Sequence, residues 1–175
     1  MKKIIEKIKR LDMEILNCIQ AKIHRSWLTP IMSFFSHPPY WRHLMLLIVL
    51  TALILGSNRV RWQIGYLLLA TLCSEHTCNL IKELVKRVRP DGDRPTGNFW
   101  EKLGHYSFPS SHAANMFCAA VFTIHYWSYI GIFLFGWAVL VTFSRVYLRN
   151  HYPSDVLAGG LIGAAYGILF VYLGL

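Results

Sequence analysis

The chain has 175 residues, of which 54% are hydrophobic and only 15% charged, with a formal net charge of +9. A mean hydropathy of +0.37 is too apolar for an ordinary soluble domain of this size, so the chain reads as a single membrane domain. Its cations flank apolar runs and form no soluble basic face, which argues against nucleic acid and for anionic lipid or a phosphorylated headgroup as the partner.

Residues 1–40 differ in character from the rest. Ile4, Ile8, Leu11, Ile15 and Ile19 recur at helical spacing, while Lys2, Lys3, Lys7, Lys9 and Arg10 occupy other positions. This pattern predicts a basic amphipathic helix lying on the membrane surface, the alternatives being a solvated tail or a helix packed on the bundle. The charged start is not followed closely by an apolar core, so no cleavable signal peptide is expected.

A membrane-crossing helix takes about 20 apolar residues. Candidate spans are Trp41–Gly56, Trp62–Ile81, His112–Tyr129, Ile130–Tyr147 and Val156–Leu175. The first is short and requires Arg42 to snorkel. The expected fold is all-α: a polytopic membrane helix bundle of about five spans, with residues 41–175 as the transmembrane domain and 1–40 as an interfacial segment. Tight connections at 57–61 and near Tyr129 make successive helices antiparallel. Pro90–Pro109 reads as an irregular surface loop. Cys18, Cys73, Cys78 and Cys118 lie in or beside apolar segments without zinc-ligand spacing, so buried free thiols are expected.

Three stretches carry chemistry. Lys82 and Arg89 are two helical turns apart and would share a face if the second span ran on to Val88, with Pro90 stopping it. Alone, they could be snorkelling anchors. Pro109-Ser110-Ser111-His112 opens the third span; a serine pair there is an N-cap signal, yet a helix N-terminus beside an imidazole is also an anion site. Ser144-Arg145 closes the fourth span, and His151 and Asp155 flank Pro153 at the start of the fifth. Pro153 suits a first helical turn, from which Asp155 could reach back to His151, fix its tautomer and leave the other nitrogen free to attack. The plainer alternative is a loop histidine and an acidic residue favouring a helix start. Alternating span direction brings all three stretches to one membrane face.

Lys82-x6-Arg89-Pro90, Pro109-Ser110-Ser111-His112 and Ser144-Arg145-x5-His151-x3-Asp155 together resemble the three-part signature of the type-2 phosphatidic acid phosphatase superfamily, over about Trp41 to the C-terminus. Ser111 stands where that family usually has glycine. The resemblance implies a metal-independent lipid phosphatase that needs no cofactor and has no metal ligands. By the same resemblance Lys82, Arg89, Arg145, Ser110 and Ser111 bind the phosphoryl group. His151, oriented by Asp155, attacks phosphorus to give a phosphohistidine, and His112 protonates the leaving oxygen. The implied partners are the bilayer and a phosphorylated lipid, with no obligate protein partner. Lipid A 1-phosphate leads the substrates, followed by undecaprenyl diphosphate, phosphatidylglycerol phosphate and phosphatidic acid. The alternative of another class is a lipid-phosphate binding or transport protein that has lost turnover.

Elsewhere, Glu75 and His76 sit inside a span and are expected to be structural, with Glu75 on the Lys82 face. Gly159, Gly163 and Gly167 recur every four residues, predicting close helix packing. Lys86, Arg87, Arg94 and Lys102 read as solvated charge around the site or as contacts to a second phosphate. Lys and Arg number eight in residues 1–42, eight at the motif-bearing ends and two, Arg59 and Arg61, opposite. That distribution favours a cytoplasmic site, whereas the resemblance favours the periplasmic face of a bacterial inner membrane; we adopt the latter as the expectation.

Overall fold

The computed structural model describes residues 2–37, 39–92 and 106–174, without the side chains of Lys2, Tyr40 and Arg42. The expected snorkelling of Arg42, the roles of Arg94 and Lys102, and most of the Pro90–Pro109 loop lie outside the described residues.

Every regular element among these residues is helical: α1 (Lys2–Lys22), α2 (Leu28–Ser36), α3 (Pro39–Leu55), α4 (Asn58–Val85), α5 (Ser111–Tyr126), α6 (Ser128–Tyr147) and α7 (Pro153–Leu173). Local chemistry places their ends. Ser57 caps α4, its hydroxyl accepting the Val60 N–H at 3.4 Å, and Ser110 caps α5 through the Ala113 N–H at 3.4 Å. Pro153 opens α7. Lys86 takes a left-handed conformation, φ 49°, and ends α4.

The bundle is inverted relative to a soluble protein. Large side chains such as Leu46, Leu47, Ile54, Leu72, Phe133, Leu157 and Leu161 are exposed, whereas Ser74, Lys82, Ser110, Ser144, Arg145, His151 and Asp155 are buried. An exterior this apolar is solvated by lipid. Among the described residues, only α6 and α7 are long and apolar enough to span by length and composition alone. α4 carries ionisable residues and α5 has 16 residues, because these two helices line the polar interior.

α5 is the hub, packing on α4, α6 and α7. Its contact with α7 is the closest: a Cβ on Gly159 or Gly163 would fall on the carbonyl oxygen of Ser110 or Ala114, and one on Gly167 would come 2.8 Å from that of Cys118. The predicted glycine stripe thus meets a matching stripe of small residues. One apolar cluster (Ala70, Cys118, Phe122, Phe170, Val171) fills the end away from the motifs; a second (Leu16, Ile19, Met32, Ala113, Val146, Tyr147, Val156) lies beneath them.

The second cluster includes residues of the N-terminal segment, which forms two helices, α1 and α2. α1 packs on α6 and α7, and α2 packs on α6, where Phe35 meets Trp137 edge-on at 4.8 Å. The face of α1 that docks carries Asp12, Leu16 and Ile19; Ile4, Ile8, Leu11 and Ile15 remain exposed. The helix is rolled about a quarter turn from the orientation in which its apolar stripe would face the bundle. Cys78 and Cys118 are buried thiols as expected, Cys73 is half-buried, and Cys18 is exposed, because it falls on the outer side of α1.

Candidate active site

The C-terminal ends of α4 and α6 and the N-terminal ends of α5 and α7 meet on one face, bringing the three motifs together. Lys82 Nζ donates to Ser111 Oγ at 2.8 Å. The Ser110 N–H donates to the Asp155 carbonyl at 3.0 Å, tying the second motif to the third. The charges of Lys82, Arg89 and Arg145 all bear on His112, as does His151, and Arg89 and Arg145 bear on His151. Five expected site residues therefore share one electrostatic field.

Lys82 and Arg89 do not reach it from one helical face. α4 stops at Val85, and the left-handed Lys86 turns the chain, so Arg89 arrives from the loop. Ser110 is fully buried, with its hydroxyl capping α5. Ser111 presents a hydroxyl to Lys82, a contact that glycine at this position would lack. Arg145 Nη1 is held by the Ser36 carbonyl at 3.2 Å and hydroxyl at 2.9 Å, while its buried Nε–H has no partner. A buried orphan donor on a guanidinium beside two other cations is suited to an anionic oxygen.

His151 is 2% exposed and Asp155 is fully buried. His151 Nδ1 lies 2.8 Å from the Ser107 carbonyl oxygen, which can only accept; Nδ1 therefore carries the proton and Nε2 holds the lone pair. Asp155 Oδ2 is 3.8 Å from the same Nδ1, too far for a hydrogen bond but close enough to stabilise positive charge on the ring. The carboxylate bonds elsewhere: Oδ2 accepts the Tyr152 N–H at 2.8 Å and Oδ1 accepts Arg87 Nη1 at 2.7 Å. The expected orientation of His151 by Asp155 is thus indirect, with Ser107 supplying the direct contact.

Burial pulls the His151 imidazole down to about 4, with Asp155 opposing the shift and the charges of Arg145 and Arg89 adding to it. The ring is neutral at physiological pH. Between about 4 and 6.5 the unfolded chain binds a proton that the folded one does not, so His151 weakens the fold as pH falls through that window. A nitrogen-15 NMR titration of detergent-solubilised protein is expected to give a His151 midpoint near 4; an ordinary midpoint near 6.5 would show that burial does not control the ring.

Arg87, Asp12, Ser107 and Ser36 were not singled out as site residues by the motifs. Arg87, which reads as solvated charge or as a contact to a second phosphate, is half-buried, bonds Asp155 and Asp12, and stacks over the Tyr152 ring at 3.8 Å. Glu75, on the Lys82 face, is exposed and accepts Asn115 Nδ2 at 3.2 Å, which places a carboxylate about 10 Å along α4 from the phosphate cradle.

A lipid-solvated bundle with two histidines and a cationic cradle at converging helix ends defines a membrane-embedded phosphatase. The PAP2 superfamily pattern matches residues 62–174, and the chain belongs to this family of lipid phosphatases. It is 28% identical over 170 residues to lipid A 4'-phosphatase of Bacteroides thetaiotaomicron, covering 83% of this chain and 76% of that one. It is 31% identical over 165 residues to phosphatidylglycerophosphatase B of Bacillus subtilis, with coverages of 86% and 77%. The crystal structure of a transmembrane PAP2-type phosphatidylglycerolphosphate phosphatase from Bacillus subtilis superposes with a TM-score of 0.72 at 27% identity, over 95% of this chain and 86% of that one.

Proposed function

We propose that this protein removes a phosphate from lipid A through a phosphohistidine intermediate. The observation that carries the reading is the His151 ring, which is buried, has Nδ1 tied to Ser107 and leaves Nε2 unprotonated in a site it shares with Arg89, Arg145 and His112. Nε2 attacks phosphorus as the phosphorus–oxygen ester bond breaks, and His112 gives its proton to the departing oxygen. Water then adds to phosphorus and returns a proton to His112, and the nitrogen–phosphorus bond breaks to free phosphate. Lys82, Arg89, Arg145 and the Ser111 hydroxyl hold the three phosphoryl oxygens, so charge neutralisation comes from fixed cations.

The similarity to the Bacteroides enzyme supports lipid A as the substrate. The sequence reading puts the 1-phosphate first, and the relative's name gives the 4'-position. A second reading, phosphatidylglycerol phosphate, is favoured by the structural match. The protein sits in a bacterial inner membrane with the site on the periplasmic face, residues 41–175 forming the phosphatase domain and the outer face of α1 resting on the interface.

The test offers detergent-purified protein each of lipid A, undecaprenyl diphosphate, phosphatidylglycerol phosphate and phosphatidic acid, in chelator, and measures phosphate release. Lipid A is expected to turn over fastest, with mass spectrometry naming the position lost. Faster release from another lipid would overturn the substrate reading, and release from none would overturn the enzyme. The same assay on spheroplasts and inverted vesicles reads the side: activity is expected in the former.

A further inference from the structure

We propose that the N-terminal helices are a positioning clamp for catalysis, Asp12 of α1 acting through Arg87 on the His151–Asp155 unit and Ser36 of α2 acting through Arg145 on the bound phosphate. Both helices lie outside the 62–174 segment that matches the family, so the catalytic core is completed by chain that the family pattern does not include.

Asp12 is 3% exposed, on a helix whose other described ionisable side chains are exposed. Among the described residues, its carboxylate bonds only to groups at the catalytic end of the bundle. Oδ1 accepts the Ser154 N–H at 2.9 Å, capping the first turn of α7 from another helix. Oδ2 accepts the Ser154 hydroxyl at 2.6 Å and Arg87 Nη2 at 2.7 Å. Arg87 Nη1 in turn donates to Ser154 Oγ and to Asp155 Oδ1, both at 2.7 Å. One guanidinium is thus shared by two buried carboxylates, with the Tyr152 ring against its face. The Ser107 N–H donates to the Arg87 carbonyl at 2.8 Å, and Ser107 supplies the acceptor that sets the His151 tautomer. A shift of Arg87 would therefore reach His151 both through Asp155 and through Ser107.

Ser36 is the last residue of α2 and is fully buried. Its carbonyl and hydroxyl take Arg145 Nη1, and its hydroxyl also takes Asn150 Nδ2 at 3.4 Å. Carbonyls at a helix C-terminus carry partial negative charge, which suits a guanidinium. With Nη1 occupied in this way, the partnerless Nε–H is left to the phosphoryl oxygens.

The proposal rests on the phosphatase reading, and its test separates the two. Asp12→Ala, Asp12→Asn, Asp12→Glu and Ser36→Ala are compared with wild type for kcat, KM, inhibition by orthophosphate, melting temperature and the His151 titration. Asp12→Ala and Asp12→Asn are expected to lower kcat about tenfold or more with KM nearly unchanged. They should also move the His151 midpoint downward, because the Arg87 charge is then less balanced among the groups facing the ring, which are His112, Arg89, Arg145 and Asp155. Asp12→Glu restores part of both. Asp12→Ala added to Arg87→Ala is expected to cost little beyond Arg87→Ala alone, as it must if Asp12 acts through Arg87. Ser36→Ala raises the orthophosphate inhibition constant severalfold with a smaller change in kcat. The clamp is overturned if these variants lower only the melting temperature, or if the Asp12 and Arg87 losses simply multiply. Should wild type hydrolyse no lipid, the phosphatase reading fails, while the His151 midpoint and orthophosphate binding still decide the clamp.

Discussion

His151→Ala is expected to lower phosphate release by at least about a thousandfold while leaving lipid binding nearly intact. In the proposed mechanism Lys82, Arg89 and Arg145, which come from α4, the following loop and α6, hold the phosphoryl group independently of the imidazole. What the substitution removes is the Nε2 lone pair, which no neighbour can supply: Lys82 is engaged with Ser111, and Asp155 lies behind the ring on the Nδ1 side. His112→Ala should fail differently. Loss of a general acid costs about 10²–10⁴-fold when the leaving group is an alkoxide, but much less when it is an acidic phenol that departs without a proton. Comparing a lipid phosphate with an aryl phosphate therefore separates the two histidines: the aryl substrate rescues His112→Ala and does nothing for His151→Ala. Rapid-quench trapping of labelled phosphoenzyme gives the second readout, with label retained in His112→Ala and absent in His151→Ala. Label persisting in His151→Ala, or turnover above a tenth of wild type, would show that another group attacks phosphorus.

The convergence of these residues was legible because their signals are local and sit at helix ends. Pro90, Ser110 and Pro153 each mark a boundary, and alternating span direction does the rest. The expected shared face for Lys82 and Arg89 failed because Lys86 adopts a left-handed turn that no residue type there demands. Arg89 still reaches the site, since the loop is free to bring it back. Ser107 had no signature at all: it works through a backbone carbonyl, and any residue has one. Asp12 was hidden for a different reason. A periodicity reading gives weight to apolar positions, so α1 was oriented by Ile4, Ile8, Leu11 and Ile15, the residues left exposed. Its docking face is set instead by one carboxylate that satisfies a cation and a helix N-terminus, with Leu16 and Ile19 beside it. Inside a lipid-solvated protein, a buried polar match outweighs an apolar stripe, because the stripe loses nothing by facing lipid.

Gly159→Ala is expected to abolish activity while lowering stability only by about 1–3 kcal/mol, the usual range for overpacking. The added methyl would fall on the Ser110 carbonyl oxygen, and backbone, unlike a side chain, cannot swing aside. α5 and α7 must separate at the point where the Ser110 N–H meets the Asp155 carbonyl. That bond holds the second motif in register with the third, so a displacement of less than 1 Å there changes the distance from His112 to any phosphorus placed against His151, and catalysis is steeply sensitive to such a misplacement. Gly163→Ala meets the Ala114 carbonyl one turn farther from the site; it should cost similar stability and less activity. Gly136→Ala and Gly65→Ala serve as controls, since a methyl at either position meets nothing within 4 Å, and in mid-helix alanine is favoured over glycine. Melting temperature in detergent and turnover of the same preparations would give both axes. If Gly159→Ala turned over as fast as Gly136→Ala, the tight α5–α7 seam would not be what holds the two motifs in register.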